Sequence, residues 1–147
     1  MCRIAGIVDN SLGLPEIEVL VNNMCELQKH GGPDDAGVYS FGHEKLVLGN
    51  RRLALQDLTS AGHQPMHYEN RYTITYNGEL YNFKTLRKEL LQLGHTFTSE
   101  TDTEVILAAF SQWNTQSFEK FNGMFAFALW DNHEKLLFLL EGFHNVY

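Results

Sequence analysis

Cys2 directly follows the initiator methionine, and its position matters more than its type. Once Met1 is removed, one residue carries both a thiol and a free α-amine. An ordinary α-amine titrates at about 7.7–8.0 and an ordinary thiol at about 8.5, so the two are matched for proton transfer near neutral pH. Such a pair is a nucleophile with its own base, the requirement for acyl transfer. Further along, Asn77-Gly78 sets a side-chain amide beside a glycine backbone N–H. Two such donors aimed at one point hold a developing oxyanion, and one of them is worth about 3–4 kcal/mol in a transition state. Taken alone, the same dipeptide reads as a tight turn. Arg52 offers a planar fork for a carboxylate, or else a surface ion pair. Asp102 opens a helical pattern, where an acid caps free N–H groups; as a ligand it would receive an ammonium.

These groups together describe a site for an amide that also bears an α-carboxylate and an α-ammonium. Glutamine and asparagine both satisfy that description, and the sequence holds no ruler for side-chain length. The competing class is another N-terminal nucleophile hydrolase, a peptidase or acylase. Its substrates lack one or both of the α-groups that Arg52 and Asp102 would meet.

The elements that must position these residues follow from periodicity. Residues 2–8 are apolar and rich in β-branched side chains, which suits a buried strand. Over residues 15–28, Ile17, Leu20, Val21, Met24 and Leu27 recur at helical spacing, with Pro15 in the first turn. His30 to Asp35 is loop material. Short strands are expected at 36–41, 45–49 and 51–55, followed by a turn-rich stretch from 56 to 70. Arg71 to Tyr76 alternates as a strand does, and the Asn77-Gly78 turn should end it. Phe83, Leu86, Leu90 and Leu93 mark a second helix, closed by Gly94. Thr101-Asp102-Thr103-Glu104 matches a capping box in front of a third. Phe125 to Trp130 and Leu136 to Leu140 read as strands joined through Asp131-Asn132-His133. Many short strands with grouped helices indicate an α+β fold with antiparallel sheets, not a parallel doubly wound one.

Composition narrows the field. The 147 residues are one domain's worth, with 44% hydrophobic content, enough for a sizeable core. The net charge of −7 and the absence of a Lys/Arg cluster argue against nucleic acid and acidic membrane surfaces as partners. No apolar run reaches membrane-spanning length. Two cysteines are too few for a disulfide scaffold, and Cys25 sits within a helical pattern. A cytoplasmic, reduced protein is expected. The seven histidines show no metal-ligand spacing, and no phosphate loop is present, so neither a metal nor a nucleotide cofactor is expected.

Seven segments, in order, resemble the class II glutamine amidotransferase family. They are most similar to the amino-terminal glutaminase domain of glutamine-hydrolysing asparagine synthetases. The segments are Met1-Cys2 with Ile4 to Val8; His30 with Gly32-Pro33-Asp34; Arg52-Leu53-Ala54; Gly62-His63-Gln64-Pro65-Met66; Tyr76-Asn77-Gly78-Glu79-Leu80-Tyr81-Asn82; Thr101-Asp102-Thr103-Glu104; and Phe121-Asn122-Gly123-Met124-Phe125-Ala126-Phe127-Ala128. The resemblance implies a four-layer αββα sandwich of the N-terminal nucleophile hydrolases. It implies Cys2 as nucleophile and amine base, Asn77 and Gly78 as the oxyanion hole, Arg52 on the substrate carboxylate, and Glu79 with Asp102 on its amino group. The implied reaction is hydrolysis of glutamine to glutamate and ammonia through a Cys2 γ-glutamyl thioester. Ammonia would pass to an acceptor such as aspartyl-adenylate on a synthetase domain or partner subunit, and ATP and Mg would belong there. A catalytically inactive glutamine-binding or regulatory fragment of the same fold is the alternative.

Three departures from the family pattern stand out. Gly31 occupies the place where the family loop His-Arg-Gly-Pro-Asp carries arginine. After Leu140 the chain runs Glu141-Gly142-Phe143-His144-Asn145-Val146-Tyr147, without the family's Arg-Asp and Lys-Pro-Leu-Tyr segments. Residues 1–147 are therefore expected to form a glutamine amidotransferase type 2 domain that ends short of the final strands. The Ser-Gly-Gly-x-Asp-Ser loop of the synthetase domain is missing from the sequence.

Overall fold

The computed structural model describes residues 2–143. Two antiparallel sheets form the middle of the molecule. The first has the order β1 (Arg3–Val8), β3 (Leu46–Arg52), β2 (Asp35–Phe41). The second has the order β4 (Met66–Tyr68), β5 (Tyr72–Leu80), β6 (Gly123–Asp131), β7 (Leu136–Phe143). Helix α1 (Leu14–Leu27) covers the outer face of the first sheet. Helix α3 (Asp102–Trp113) covers the second, with α2 (Phe83–Gln92) packed against it. The layers are thus α, β, β, α, as the resemblance implied.

Strand alternation builds these layers. On β6, Phe125, Phe127 and Leu129 join the cluster shared with α2 and α3, which includes Leu80, Leu90, Ile106 and Phe110. The intervening Ala128 and Trp130 face the other way and meet Leu46 and Leu48 of β3 between the sheets. Rings interlock on the helical side: Phe110 meets Tyr72 edge-on at 5.4 Å, and Phe138 lies at 5.0 Å. Under α1 the third cluster joins Ile17, Val21 and Cys25 to Ala5 and Val47. Each fully buried Ile, Leu, Val or Phe among these contributes about 1.5–3 kcal/mol over an exposed one.

The space between the sheets changes character along its length. Its far end is the apolar group of Leu46, Leu48, Ala128 and Trp130. Nearer the Cys2 end it is polar and tied by hydrogen bonds. Asn50 Nδ2 donates to Thr75 Oγ1 at 3.1 Å and to Gln64 Oε1 at 3.2 Å, and Thr75 Oγ1 donates to the Gly49 carbonyl at 2.9 Å.

The sequence reading requires correction in four places. Residues 45–49 and 51–55 are not two strands: Leu46–Arg52 is one strand, buried throughout, and 53–55 is loop. Its polar end survives burial because Asn50 is bonded as above, while Arg51 Nε donates to the Gly32 carbonyl at 3.0 Å. Asn77-Gly78 is not a turn. β5 runs through it to Leu80, with Asn77 opposite Ala126 and Gly78 opposite Phe125. The turn-rich stretch contains a short strand, β4. The capping box is half formed: the Thr101 hydroxyl accepts from Glu104 N–H, but the Glu104 carboxylate reaches past Thr101 to the N–H groups of Thr98 and Ser99. The first strand, the three helices and the β6–β7 pair lie where periodicity placed them, with β7 extended to Phe143. Removal of Met1 and most of the segment after Leu140 concern residues outside those described.

Candidate functional site

The pocket lies at the end of the sandwich where the amino-terminal strand begins. Cys2 precedes β1 by one residue, so the first sheet carries the thiol. The Leu53 N–H points at Cys2 Sγ from 3.4 Å, and the thiol faces the Leu53 carbonyl at 3.8 Å. The sulfur is thus held between the backbone donor and the backbone acceptor of one residue. Leu53 is next to Arg52, the last residue of β3, and the Cys2–Leu53 contact joins the candidate nucleophile to the arginine through one short piece of chain.

Arg52 is not a surface ion-pairing residue; it is buried and lines the pocket. Its Nη1 donates to the Thr59 carbonyl at 3.0 Å, and Nη2 to the Asp57 carbonyl. These bonds fold the 53–60 loop over the guanidinium and leave the rest of the fork for a ligand. Asp57 fixes that loop in turn. Its carboxylate accepts from the Thr59 N–H and hydroxyl and from the Glu100 N–H. Those donors, the Thr59 hydroxyl foremost, hold the Asp57 carboxyl down at about 2.

The second sheet supplies the opposite wall. Tyr76, Gly78 and Glu79 of β5 line the pocket together with Cys2, Arg52 and Asp102. A cavity of about 50 Å³ remains between them, room for a few water molecules. Gly78 is required where it stands: its φ is +157°, and a Cβ there would lie 2.5 Å from Phe125 Cα on the paired strand. Asn77 does not line this cavity. It alternates onto the face of β5 that Thr75 presents to the first sheet, and its Oδ1 is buried with no hydrogen-bond partner. An unspent buried amide atom at a site edge is an uncommon feature of a folded protein.

Asp102 starts α3 but does not cap it with its carboxylate alone. Oδ2 turns to β5 and accepts from the Tyr76 hydroxyl at 2.8 Å and from Leu80 N–H at 2.9 Å. Burial pushes the Asp102 carboxyl up to about 6; the two donors oppose this, and the nearby charge of Glu79 adds to it. Burial and the facing Asp102 carboxylate also raise the Tyr76 phenol well above the ordinary range. The site therefore holds a costly anion that a cationic ligand would relieve.

Three contributors carried no role in the sequence reading. Gln56 bridges the two acids: its Nε2 donates to Glu79 Oε2 at 2.8 Å, and its Oε1 accepts from Asp102 N–H at 3.2 Å. It also lines an outer groove with Phe83, Lys84 and Arg87, and so stands between groove and pocket. Gln64, in one of the matched segments, accepts from Tyr76 N–H at 2.7 Å and ties the second sheet to Asn50 of the first. Tyr76 orients Asp102. Only its place in a matched segment hinted at this; Gln56 gave no signal at all. Among the described residues no group of three or more His, Cys, Asp or Glu is arranged to hold a metal ion, and no helix is long and apolar enough to cross a membrane.

Comparison with known proteins places this geometry. Residues 1–141 match the glutamine amidotransferase domain family. Asparagine synthetase [glutamine-hydrolyzing] 3 of Bacillus subtilis is 41% identical over 141 residues, which cover 94% of this chain and 22% of that protein. Asparagine synthetase B [glutamine-hydrolyzing] of Escherichia coli is 33% identical over 145 residues, 98% of this chain and 25% of that protein. The chain thus spans about a quarter of the length of these relatives. Among solved structures, the glutamine phosphoribosylpyrophosphate amidotransferase of Bacillus subtilis shares the fold, with a TM-score of 0.50 and 23% identity over 59% of this chain and 21% of that one. With the match running from the residue before the candidate nucleophile to the last strand of the second sheet, the chain belongs to the glutamine amidotransferase domain family and is homologous to the glutaminase part of asparagine synthetases.

Proposed function

We propose that this chain hydrolyses glutamine to glutamate and ammonia, in the cytoplasm, as the glutaminase half of an asparagine-synthetase-like amidotransferase. The convergence of Cys2, Arg52, Gly78, Glu79 and Asp102 on one pocket, from both sheets and a helix, carries this reading. Arg52 receives the substrate α-carboxylate with the part of its fork that the loop leaves over. Glu79 and Asp102 receive the α-ammonium, which supplies the counter-charge that the buried Asp102 lacks.

The side-chain amide then reaches Cys2. Sγ bonds to the amide carbon, the thiol proton passes to the α-amine of Cys2 exposed by loss of Met1, and the carbonyl oxygen becomes an oxyanion held by the Gly78 N–H, the member of the expected donor pair that lines the cavity. The ammonium of Cys2 returns its proton to the departing nitrogen, the C–N bond breaks, and ammonia leaves a γ-glutamyl thioester. Water, deprotonated by the same amine, cleaves the thioester to glutamate and free thiol. The ammonia is destined for an acceptor such as aspartyl-adenylate on a synthetase domain or partner subunit, where ATP and Mg would be used.

The test is glutamate release from glutamine by purified chain whose mass shows that Met1 is gone. Cys2→Ala should abolish release and leave the fold intact. Turnover retained by Cys2→Ala would refute the mechanism. A glutamine-dependent rise in melting temperature without glutamate production would identify the chain as a binding module.

A further inference from the structure

Arg3 stands at an unusual place. In the β1–β3 register it lies directly opposite Arg51, and two like charges on one cross-strand pair oppose each other unless each has its own acceptor. Arg51 has Glu26 and the Gly32 carbonyl. Arg3 turns back along its own strand, and its Nη1 donates to the carbonyl of Cys2 at 3.0 Å.

The space that admits this turn is made by a glycine. Gly31 closes the short 3₁₀ turn Lys29–Gly31. A Cβ on Gly31 would lie 2.6 Å from both Cζ and Nε of Arg3, and 2.9 Å from Nη2. The guanidinium therefore lies where any other residue at 31 would place its side chain. The next residue of this segment, Gly32, is held from the other side by Arg51 Nε at 3.0 Å. One short segment thus lies against two guanidinium groups, and one of them holds the backbone of the residue that carries the thiol.

We propose that Arg3, seated over Gly31, is a positioning residue for Cys2: it fixes the Cys2 carbonyl, and hence the direction of thiol and amine, and sets a permanent positive charge beside them. Gly31, the departure from the family loop, is the room this requires. The proposal rests on the reading of Cys2 as the nucleophile. A thiol displaced by a fraction of an ångström loses much of its alignment with the carbonyl, so the effect falls on kcat and spares KM, since Arg3 is not among the described residues that line the pocket.

The experiment uses the full chain with Met1 removed, in four forms: wild type, Arg3→Met, Gly31→Ala and the double variant. Arg3→Met should lower kcat ten- to a hundredfold with KM within about twofold. Gly31→Ala should reproduce this without touching Arg3, because the new methyl displaces the guanidinium. The double variant should be no worse than Arg3→Met, since the two changes break one contact. Multiplying losses, or unchanged kcat in either single variant, would overturn the proposal.

A second measurement keeps the test independent of turnover. The rate of Cys2 alkylation by iodoacetate relative to iodoacetamide reads the positive charge beside the thiol. That ratio should fall about threefold or more in Arg3→Met and in Gly31→Ala. It should recover in Arg3→Lys, which restores charge. An unchanged ratio overturns the proposal even if the wild-type chain turns over no glutamine. A changed ratio in a chain without turnover supports the placement of Arg3 and refutes only the proposed reaction.

Discussion

Asp102→Asn is the substitution whose outcome the structure constrains most tightly. In the folded protein burial holds the Asp102 carboxyl at about 6, against 3.8 for an ordinary aspartate. A lift of about two units corresponds to about 3 kcal/mol of stability. The folded value lies above the unfolded one, so the folded state gains from the proton. The contribution is fully present below pH 3.8 and is lost as pH rises through 6. Above that, wild type carries a buried charge and the asparagine variant does not. The assay is urea unfolding of both proteins at intervals from pH 4 to 7, followed by tryptophan fluorescence. The loss of the Tyr76 and Leu80 hydrogen bonds to a carboxylate shifts the variant by a constant amount, so the informative quantity is the change in the difference between the two. That difference should move in favour of Asn by about 2 kcal/mol between pH 4 and 7, the rest of the effect falling below pH 4. Saturating glutamine should remove most of the pH dependence of wild type, because its ammonium neutralises the buried charge. Two stability curves that stay parallel from pH 4 to 7 would refute the electrostatic argument.

Two other changes probe the opposite walls of the pocket. Gly78→Ala drives a Cβ into Phe125 of the paired strand; it should cost about 1–3 kcal/mol in denaturant titration and abolish glutamate release by moving the oxyanion donor. A fully active Gly78→Ala would remove Gly78 N–H from the mechanism. Gln56→Ala releases Glu79 Oε2 from the amide that now occupies it. A hydrogen bond of this kind nets about 0.5–1.5 kcal/mol, so KM for glutamine should fall by roughly two- to tenfold; a higher KM would mean that Gln56 assists the substrate instead of competing with it.

Much of this was legible because chemistry and periodicity coincide. β1, α1 and α3 announce themselves through apolar spacing; Cys2, Arg52 and Asp102, singled out by residue type, and Glu79, singled out by the family resemblance, line one pocket. What was hidden depends on contacts between distant segments. The polar run Asn50-Arg51-Arg52 looks like the end of a strand until Thr75, Gln64 and Gly32 appear as its partners. Asn77-Gly78 has the local preference of a turn, and pairing with Ala126 and Phe125 overrules it. Gln56 has no periodicity to betray it, since a loop side chain acquires its role from what it touches. Gly31 could be read as a loss of charge; only the packing of Arg3 over it shows where a charge has come from.

The division of the site between the two sheets has a consequence for how function is lost. The Cys2 thiol leads into the first sheet, Gly78 and Glu79 belong to the second and Asp102 to a helix, so under the proposed reaction no single layer holds a working subset. The proposed turnover would therefore gauge the seam, not either half. A perturbation that slides one sheet over the other by less than a side chain's width, leaving every helix and strand hydrogen bond in place, would silence the chemistry while circular dichroism stayed unchanged. Catalysis would be the first property to go and the last to return, and for this architecture the finest available measure of whether the sandwich has closed.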